Sequence, residues 1–352
     1  MRPERFGWTA VGVMSGSSLD GLDLAMCRFE RSDGMWTFKV EKAHTMPYTD
    51  EFRSRLHMVM HGSALDLARL HRDLGHLIGT ACLDLCAGRV VDVIGSHGHT
   101  VFHKPEEGLT SQIGCGARIA AVSGVATVND FRTSDVALGG QGAPLVPLGE
   151  QLLFPSNKAF LNIGGICNVS MHTAAGVSGH DVCIGNQALD LLAQEAGLPY
   201  DANGDLARSG HVDRDLLHRL NALPFHEKPP PRSLGREWFE QELRPLITGN
   251  SISTADRLCT TVEHIAQQVG RACRTAPWPV LVSGGGAHNR YLMQRIAALT
   301  RIEVPLAEII DFKEAIIFAL LAILRLQGKA TALASVTGAR RDNVGGALHL
   351  PN

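Results

Sequence analysis

Val11-Gly12-Val13-Met14-Ser15-Gly16-Ser17-Ser18-Leu19-Asp20-Gly21-Leu22-Asp23 is the stretch on which the reading of this chain turns. The apolar run from Thr9 to Met14 reads as a strand and Leu22 to Phe29 as a second, with a small, hydroxyl-rich turn between them. Glycines at 16 and 21 admit positive φ and keep side chains out of the way. The turn's backbone N–H groups and the hydroxyls of Ser15, Ser17 and Ser18 can then converge on one anion. Asp20 and Asp23 would repel a bare phosphate, an objection that a metal ion between acid and phosphate removes. No Gly-Lys-Ser/Thr follows, so this is not a Walker loop. The stretch reads as a candidate nucleotide-phosphate hairpin, with an ordinary polar-tipped β-hairpin as the alternative.

A related hairpin opens the second half. Lys158-Ala159-Phe160-Leu161-Asn162-Ile163-Gly164-Gly165-Ile166-Cys167-Asn168-Val169-Ser170 is again strand, glycine turn, strand, about 150 residues further on. Two such hairpins, each opening a half-chain, point to a duplicated architecture. A third glycine turn, Val280-Leu281-Val282-Ser283-Gly284-Gly285-Gly286, follows a buried strand. Glycines there let a flat ligand such as a purine approach the backbone; a tight β-to-α turn is the alternative.

Composition narrows the function classes. A chain of 352 residues holds roughly two domains. With 45% hydrophobic and 19% charged residues it has the make-up of a globular, soluble protein. Its 33 basic and 35 acidic residues leave a net charge of −2, no field to recruit nucleic acid or an anionic membrane. Aromatic residues, at 5%, are too sparse for base-stacking platforms. The longest apolar run, Ala315 to Leu324, is ten residues, against roughly 20 for a membrane span. Met1 to Phe6 contains no apolar signal-peptide core. The eight cysteines have no C-x-x-C spacing and read as reduced core residues of a cytosolic protein, not as a zinc site.

Between the glycine turns, Met35 to His44 reads as a third strand, Leu56 to Gly88 as largely helical, and Val90 to Gly95 as a short buried parallel strand. That strand delivers Ser96-His97-Gly98-His99-Thr100-Val101-Phe102-His103, whose histidines read as hydrogen-bonding groups at a strand end in preference to metal ligands. Gly114 to Gly124 reads as a helix and Val125 to Val128 as a strand. Next come Asn129-Asp130-Phe131-Arg132-Thr133-Ser134-Asp135 and the turn Gly139-Gly140-Gln141-Gly142-Ala143-Pro144. Two acids flanking an arginine beside a Gly-rich turn suit a polyol or amide ligand. The Gly and Pro content places a domain boundary here, giving one half of residues 1–130 with a returning segment of about 330–352, and another of 131–329. Ser251 to Ala272 reads as a long helix, and Glu314 as the opening of an apolar helix running to Leu326.

Taken together, the segments resemble one family, anhydro-N-acetylmuramic acid kinase. The matching stretches are Gly12 to Asp23, Ser96 to Thr100, Asp130 to Asp135, Gly139 to Pro147, Asn162 to Asn168, Ser233 to Trp238, Ser283 to Asn289 and Lys313 to Ala315, collinear from about residue 10 to 340. The resemblance departs at Asp181-Val182-Cys183-Ile184-Gly185-Asn186, where most of the family has Asp-Thr-Gly-Pro-Gly-Asn. It implies an α/β, two-domain actin-like ATPase fold of the sugar kinase, Hsp70 and actin type, with a nucleotide and sugar cleft between duplicated halves. It also implies a cytoplasmic, homodimeric enzyme of peptidoglycan recycling that uses ATP and Mg2+. That enzyme converts 1,6-anhydro-N-acetylmuramic acid and water to N-acetylmuramic acid 6-phosphate.

By motif position, Ser15, Gly16, Ser17, Ser18, Leu19, Asp20, Gly21, Leu22 and Asp23 would hold the ATP phosphates from one side, with Asp20 toward the metal, and Gly164 and Gly165 from the other. Ser283, Gly284, Gly285 and Gly286 would line the adenosine, and His97, Asp130, Arg132, Gln141 and Glu314 would surround the sugar. Opening the anhydro ring needs a carboxylate to take a proton from water; Asp181, just after the second hairpin, is the residue chosen for it. Two alternatives stay open: a phosphotransferase of the same fold acting on another sugar or polyol, and a non-catalytic relative that binds anhydro-sugar.

Overall fold

The computed structural model describes residues 7–16, 19–173, 176–230, 232–249, 251–277 and 279–351. The chain divides into two compact units, Met1–Pro155 with Phe312–Asn352, and Ser156–Asp311. Strands of the first are β1 (Gly7–Ser15), β2 (Gly21–Ser32), β3 (Met35–Pro47), β4 (Val93–Ser96), β5 (His99–Lys104), β6 (Leu109–Ile113) and β7 (Thr127–Asn129). Those of the second are β8 (Ala159–Ile163), β9 (Ile166–Thr173), β10 (Gly176–Ile184), β11 (Val280–Ser283) and β12 (Ile302–Glu303); β13 (Ala347–His349) returns to the first.

The two main sheets repeat one plan. Strand order is β3-β2-β1-β4-β7 in the first unit, extended by β13, and β10-β9-β8-β11-β12 in the second. In each, three strands form an antiparallel meander, and two more run parallel to the meander's first strand. The duplicated actin-like architecture is present in this repeat, and it sets up equivalences. The turn after β1 corresponds to Gly164-Gly165 after β8, and the end of β4 to the end of β11.

Period-two alternation decides what covers the first sheet. Val11 and Val13 of β1 join Leu22, Leu24 and Met26 of β2 in a core with Leu70, Leu74, Ile78 and Cys82 of the helix Ala64–Cys86. That helix starts in a capping box: Ser63 Oγ accepts from Asp66 N–H and the Asp66 carboxylate accepts from Ser63 N–H. Gly12 faces the other way. A Cβ there would sit 1.7 Å from the Ala315 carbonyl oxygen, so the helix Ala307–Leu326 lies with its backbone directly on β1. Its run from Ala315 to Leu324 is buried on every side, which is why it is apolar all round. In the second unit, Leu161, Ile163, Val182 and Ile184 pack on Leu258, Val262, Ile265 and Val269 of the helix Thr254–Ala272.

Several boundaries differ from the sequence reading, each for a tertiary reason. The unit division falls at Pro155/Ser156 and Asp311/Phe312, not near residues 130 and 330. Residues 131–155 stay with the first unit because Asp135 binds Thr337 and Asn343, Glu150 binds Lys313, and Phe154 packs on Phe38. The helical stretch after Leu56 is interrupted at Gly62-Ser63, where a second helix begins. Val90 is 86% exposed and outside the strand, which starts at Val93. Glu314 lies two turns inside its helix, which begins at Ala307. Among the described residues no helix is long and apolar enough to cross a membrane.

Candidate active site

The candidate residues of the first unit gather at the C-terminal ends of β1, β4 and β7, where parallel strands stop and side chains emerge. β4 ends at Ser96, Gly98 turns the chain with φ 73°, and His97 is left between two strands, buried to 4% exposure. The ring donates from Nδ1 to the Gly98 carbonyl (2.9 Å), so Nε2 is the acceptor for Arg132 Nε (3.0 Å) and Nη2 (2.8 Å). Burial and then the Arg132 charge push the His97 pKa down to about 3, which keeps the imidazole neutral. Arg132 also donates from Nη1 to the Gly142 carbonyl at 2.7 Å, so its fork is fixed along one edge.

Glu314 lies in the field of this arginine. Burial raises its carboxyl pKa; Lys313 and Arg132 pull it back, while Asp23 and Glu150 push it further up. Lys313 is itself committed to Glu150 in a buried ion pair at 2.7 Å. Asp23, half-buried near the start of β2, accepts from Thr45 Oγ1 at 2.6 Å. His97, Arg132, Glu314 and Asp23 therefore form one electrostatic group: two acids, one fixed guanidinium and one neutral imidazole.

The other candidates of this unit fall outside the group. Asp130 follows β7 with φ 53° and accepts from Thr133 Oγ1 at 2.6 Å. Gln141 is exposed, its backbone N–H bound to the Thr337 carbonyl. Asp135, grouped with the ligand acids on sequence, is fully buried and structural: it accepts from Gly142 N–H, Thr337 and Asn343, each at 2.7 Å. In the first hairpin, Ser15 is buried and occupied, receiving the Tyr48 hydroxyl at 2.7 Å and lying 3.1 Å from His99 Nδ1. Asp20 is exposed, and Gly16, Leu19, Gly21 and Leu22 complete the described part of the turn. Ser17 and Ser18 lie outside the described residues.

In the second unit, the carbonyls of Gly164 and Gly165 receive the N–H groups of Asn186 (2.9 Å) and Gly185 (2.8 Å), which ties the hairpin to the start of the helix Asn186–Glu195. Val182, Cys183 and Ile184, where the family motif reads Thr-Gly-Pro, turn their side chains into the core. Their Cβ groups therefore do not crowd the hairpin, and the closing Gly185-Asn186 keeps its backbone contacts. At the end of β11, Gly284 has φ 83° and passes so close to Asn162 that a Cβ would lie 2.6 Å from its Oδ1. Among the described residues, Ser283 Oγ is buried with no hydrogen-bond partner, and so is Ser96 Oγ at the equivalent end of β4.

Asp181 sits beside the bulge where the register of β10 against β9 shifts. Its N–H donates to the Arg232 carbonyl (3.0 Å), its carbonyl accepts from Arg232 Nε (3.1 Å), and Oδ2 accepts from Leu234 N–H (2.8 Å). Arg232 also donates from Nη1 to the carbonyls of Phe225, His226 and Lys228. Burial raises the Asp181 pKa, with the Leu234 N–H and Arg232 opposing. An acid with one oxygen fixed and an elevated pKa has the attributes of a general base. The sequence alone does not single out Arg232, Tyr48 or Thr45, because their partners lie far along the chain.

Buried histidines give the fold a pH dependence. Burial, then Arg232, pushes His226 to about 4, and burial, then His226, pushes His264 to about 3; their rings lie 5.0 Å apart. Unfolded histidine titrates near 6.5. Below that pH the unfolded chain binds protons that the folded one refuses, so stability falls by about 1.4 kcal/mol per pH unit per histidine until the folded pKa is reached. At pH 5 this is about 2 kcal/mol for each. The raised carboxyls of Asp181 and Glu314 act with the opposite sign. Urea unfolding at pH 7.5 and 5.0 will show His226→Leu losing less stability on acidification than wild type, by about 2 kcal/mol. Equal losses would refute this role of His226.

The sequence profile described as anhydro-N-acetylmuramic acid kinase matches residues 9–351. Proteins bearing that name from Gloeobacter violaceus, Rhizorhabdus wittichii and Coxiella burnetii are 38%, 36% and 34% identical to the chain. The alignments cover 97%, 97% and 96% of this chain and 98%, 99% and 96% of the relatives, so the similarity extends end to end.

Proposed function

Because the chain belongs to the anhydro-N-acetylmuramic acid kinase family, we propose that it converts 1,6-anhydro-N-acetylmuramic acid, water and ATP to N-acetylmuramic acid 6-phosphate and ADP. The observation that carries the proposal is Asp181, a half-buried carboxyl of raised pKa beside a glycine hairpin. Water attacks the anomeric carbon from the face opposite O6, and Asp181 takes its proton. The bond from the anomeric carbon to O6 breaks, and O6 attacks the γ-phosphorus as ADP leaves. The glycine hairpin of each unit offers backbone N–H groups suited to phosphate oxygens, and Ser283 to Gly286 suit the adenosine. Arg132, oriented by neutral His97, with Glu314, Asp130 and Gln141, positions the sugar. The fixed guanidinium suits the lactyl carboxylate, and the acids suit hydroxyls and the amide.

Among the described residues no group of three His, Cys, Asp or Glu is placed to hold a metal ion. An exposed Asp20 at the hairpin instead fits Mg2+ shared with substrate phosphates, the usual way this ion is bound. Bound there, it would neutralise the charge of the triphosphate. The homodimeric state and cytoplasmic location belong to the same reading. Reaction in ¹⁸O-water tests the coupled route by mass spectrometry: label will appear at the C1 hydroxyl and none in the new phosphoryl group. Label in phosphate, or turnover of ATP without sugar, would sink it. Turnover only with other sugars or polyols would favour a different phosphotransferase of this fold.

A further inference from the structure

We propose that Tyr48 and Arg53, which lie outside the first hairpin, are positioning residues that set this hairpin for ATP; the inference rests on the nucleotide-binding reading above. One short segment holds the turn at both ends. Tyr48, buried just after β3, donates its N–H to the Asp20 carbonyl (3.2 Å) and its hydroxyl to Ser15 Oγ (2.7 Å). Ser15 in turn meets His99 Nδ1 at 3.1 Å, which continues the chain of hydrogen bonds into β5. Five residues on, Arg53 Nε donates to the Leu19 carbonyl at 3.1 Å.

Leu19 is the residue that needs holding. Its φ of 59° places a Cβ-bearing side chain in the left-handed region, which sterics disfavour for leucine. Such a conformation persists only where the surroundings enforce it. Arg53 fixes its carbonyl and Tyr48 the next one. Both are aimed by rigid local structure: Thr49 caps the helix Asp50–Met58, Arg53 N–H closes onto the Thr49 carbonyl at 2.9 Å, and the Tyr48 ring stacks on Phe52 at 5.5 Å. The ion pair of Arg53 with Asp50 is exposed and adds little. Among the described residues, Arg53 makes no further side-chain hydrogen bond or ion pair. Its conformational work is therefore directed at the hairpin.

The test compares wild type, Tyr48→Phe, Arg53→Met and Arg53→Lys in steady-state kinetics with ATP and anhydro-N-acetylmuramic acid, alongside thermal melts and calorimetric titration with ADP. Each of Tyr48→Phe and Arg53→Met will raise KM for ATP about three- to tenfold, the range of one lost hydrogen bond. KM for the sugar will move less than about twofold, within the noise of an unaffected site. Arg53→Lys keeps a donor and will recover part of the loss. An ATP KM unchanged in Arg53→Met, equal rises in both KM values, or no difference between the Lys and Met variants would overturn the proposal. Should Tyr48→Phe not fold, Arg53→Met decides alone, since that side chain is 45% exposed. ADP binding that weakens as predicted, in a protein that turns over no sugar, would overturn the kinase reading and leave the clamp standing.

Discussion

Asp181→Asn will bind ATP and sugar with near-native affinity while its turnover falls roughly 10²- to 10⁴-fold, the usual contribution of a general base. That loss is about 3 to 5.5 kcal/mol of transition-state stabilisation. The substitution keeps an oxygen to accept the Leu234 N–H, so the bond that positions the side chain survives. The backbone bonds to Arg232 involve no side-chain atom of residue 181 and also survive. What disappears is the capacity to take a proton from water. With Asp181 as the proposed base, its raised pKa will place the acid limb of wild-type kcat/KM above the ordinary aspartate range, activity falling as pH drops and the carboxylate is protonated.

The competing account is that Asp181 only fastens residues 232–234. Under it, Asp181→Asn would lower the melting temperature and leave saturated turnover almost intact. Saturating kinetics beside calorimetric titration with each ligand separates the two. Turnover within about tenfold of wild type, below the general-base range, would remove Asp181 from the mechanism. The next candidate would then be Glu314, whose carboxyl pKa is also raised by burial.

Gly12→Ala will cost more than about 3 kcal/mol of stability, above the typical penalty for overpacking, and will leave little folded protein. The added Cβ would lie 1.7 Å from the Ala315 oxygen, 2.6 Å from its carbon and 2.8 Å from Ala319 N, all backbone of a helix enclosed on every side. Neither strand nor helix can yield without displacing the sheet. Gly165→Ala provides the contrast, because its Cβ would meet the side chain of Gln187 at 3.0 Å, and that side chain can move. Thermal melts of both variants check the pair. A Gly12→Ala protein that melts like wild type but has lost ATP affinity would show instead that this glycine serves a phosphate.

What the sequence determined by itself was local in origin. Alternation and glycine placement specify strand–turn–strand units at Gly7–Ser32 and Ala159–Thr173, because the backbone preferences involved act over two to four residues. The recurrence of that unit, and the collinear motifs around it, were enough to read a duplicated kinase fold and to propose residues for its site. The tertiary structure alone decided how those residues are used. Gly12 is bare because Ala315 packs on it, Asp135 is structural because Thr337 and Asn343 return to it, and Leu19 is left-handed because the segment from Tyr48 to Arg53 holds its turn. Arg132 is a fixed fork because His97 accepts from it, and Asp181 is a poised acid because burial and the Leu234 N–H act on it together. These are contacts between residues that chain order leaves tens to hundreds of positions apart. No local periodicity encodes them, since each depends on the elements packing face to face before the partner comes within reach.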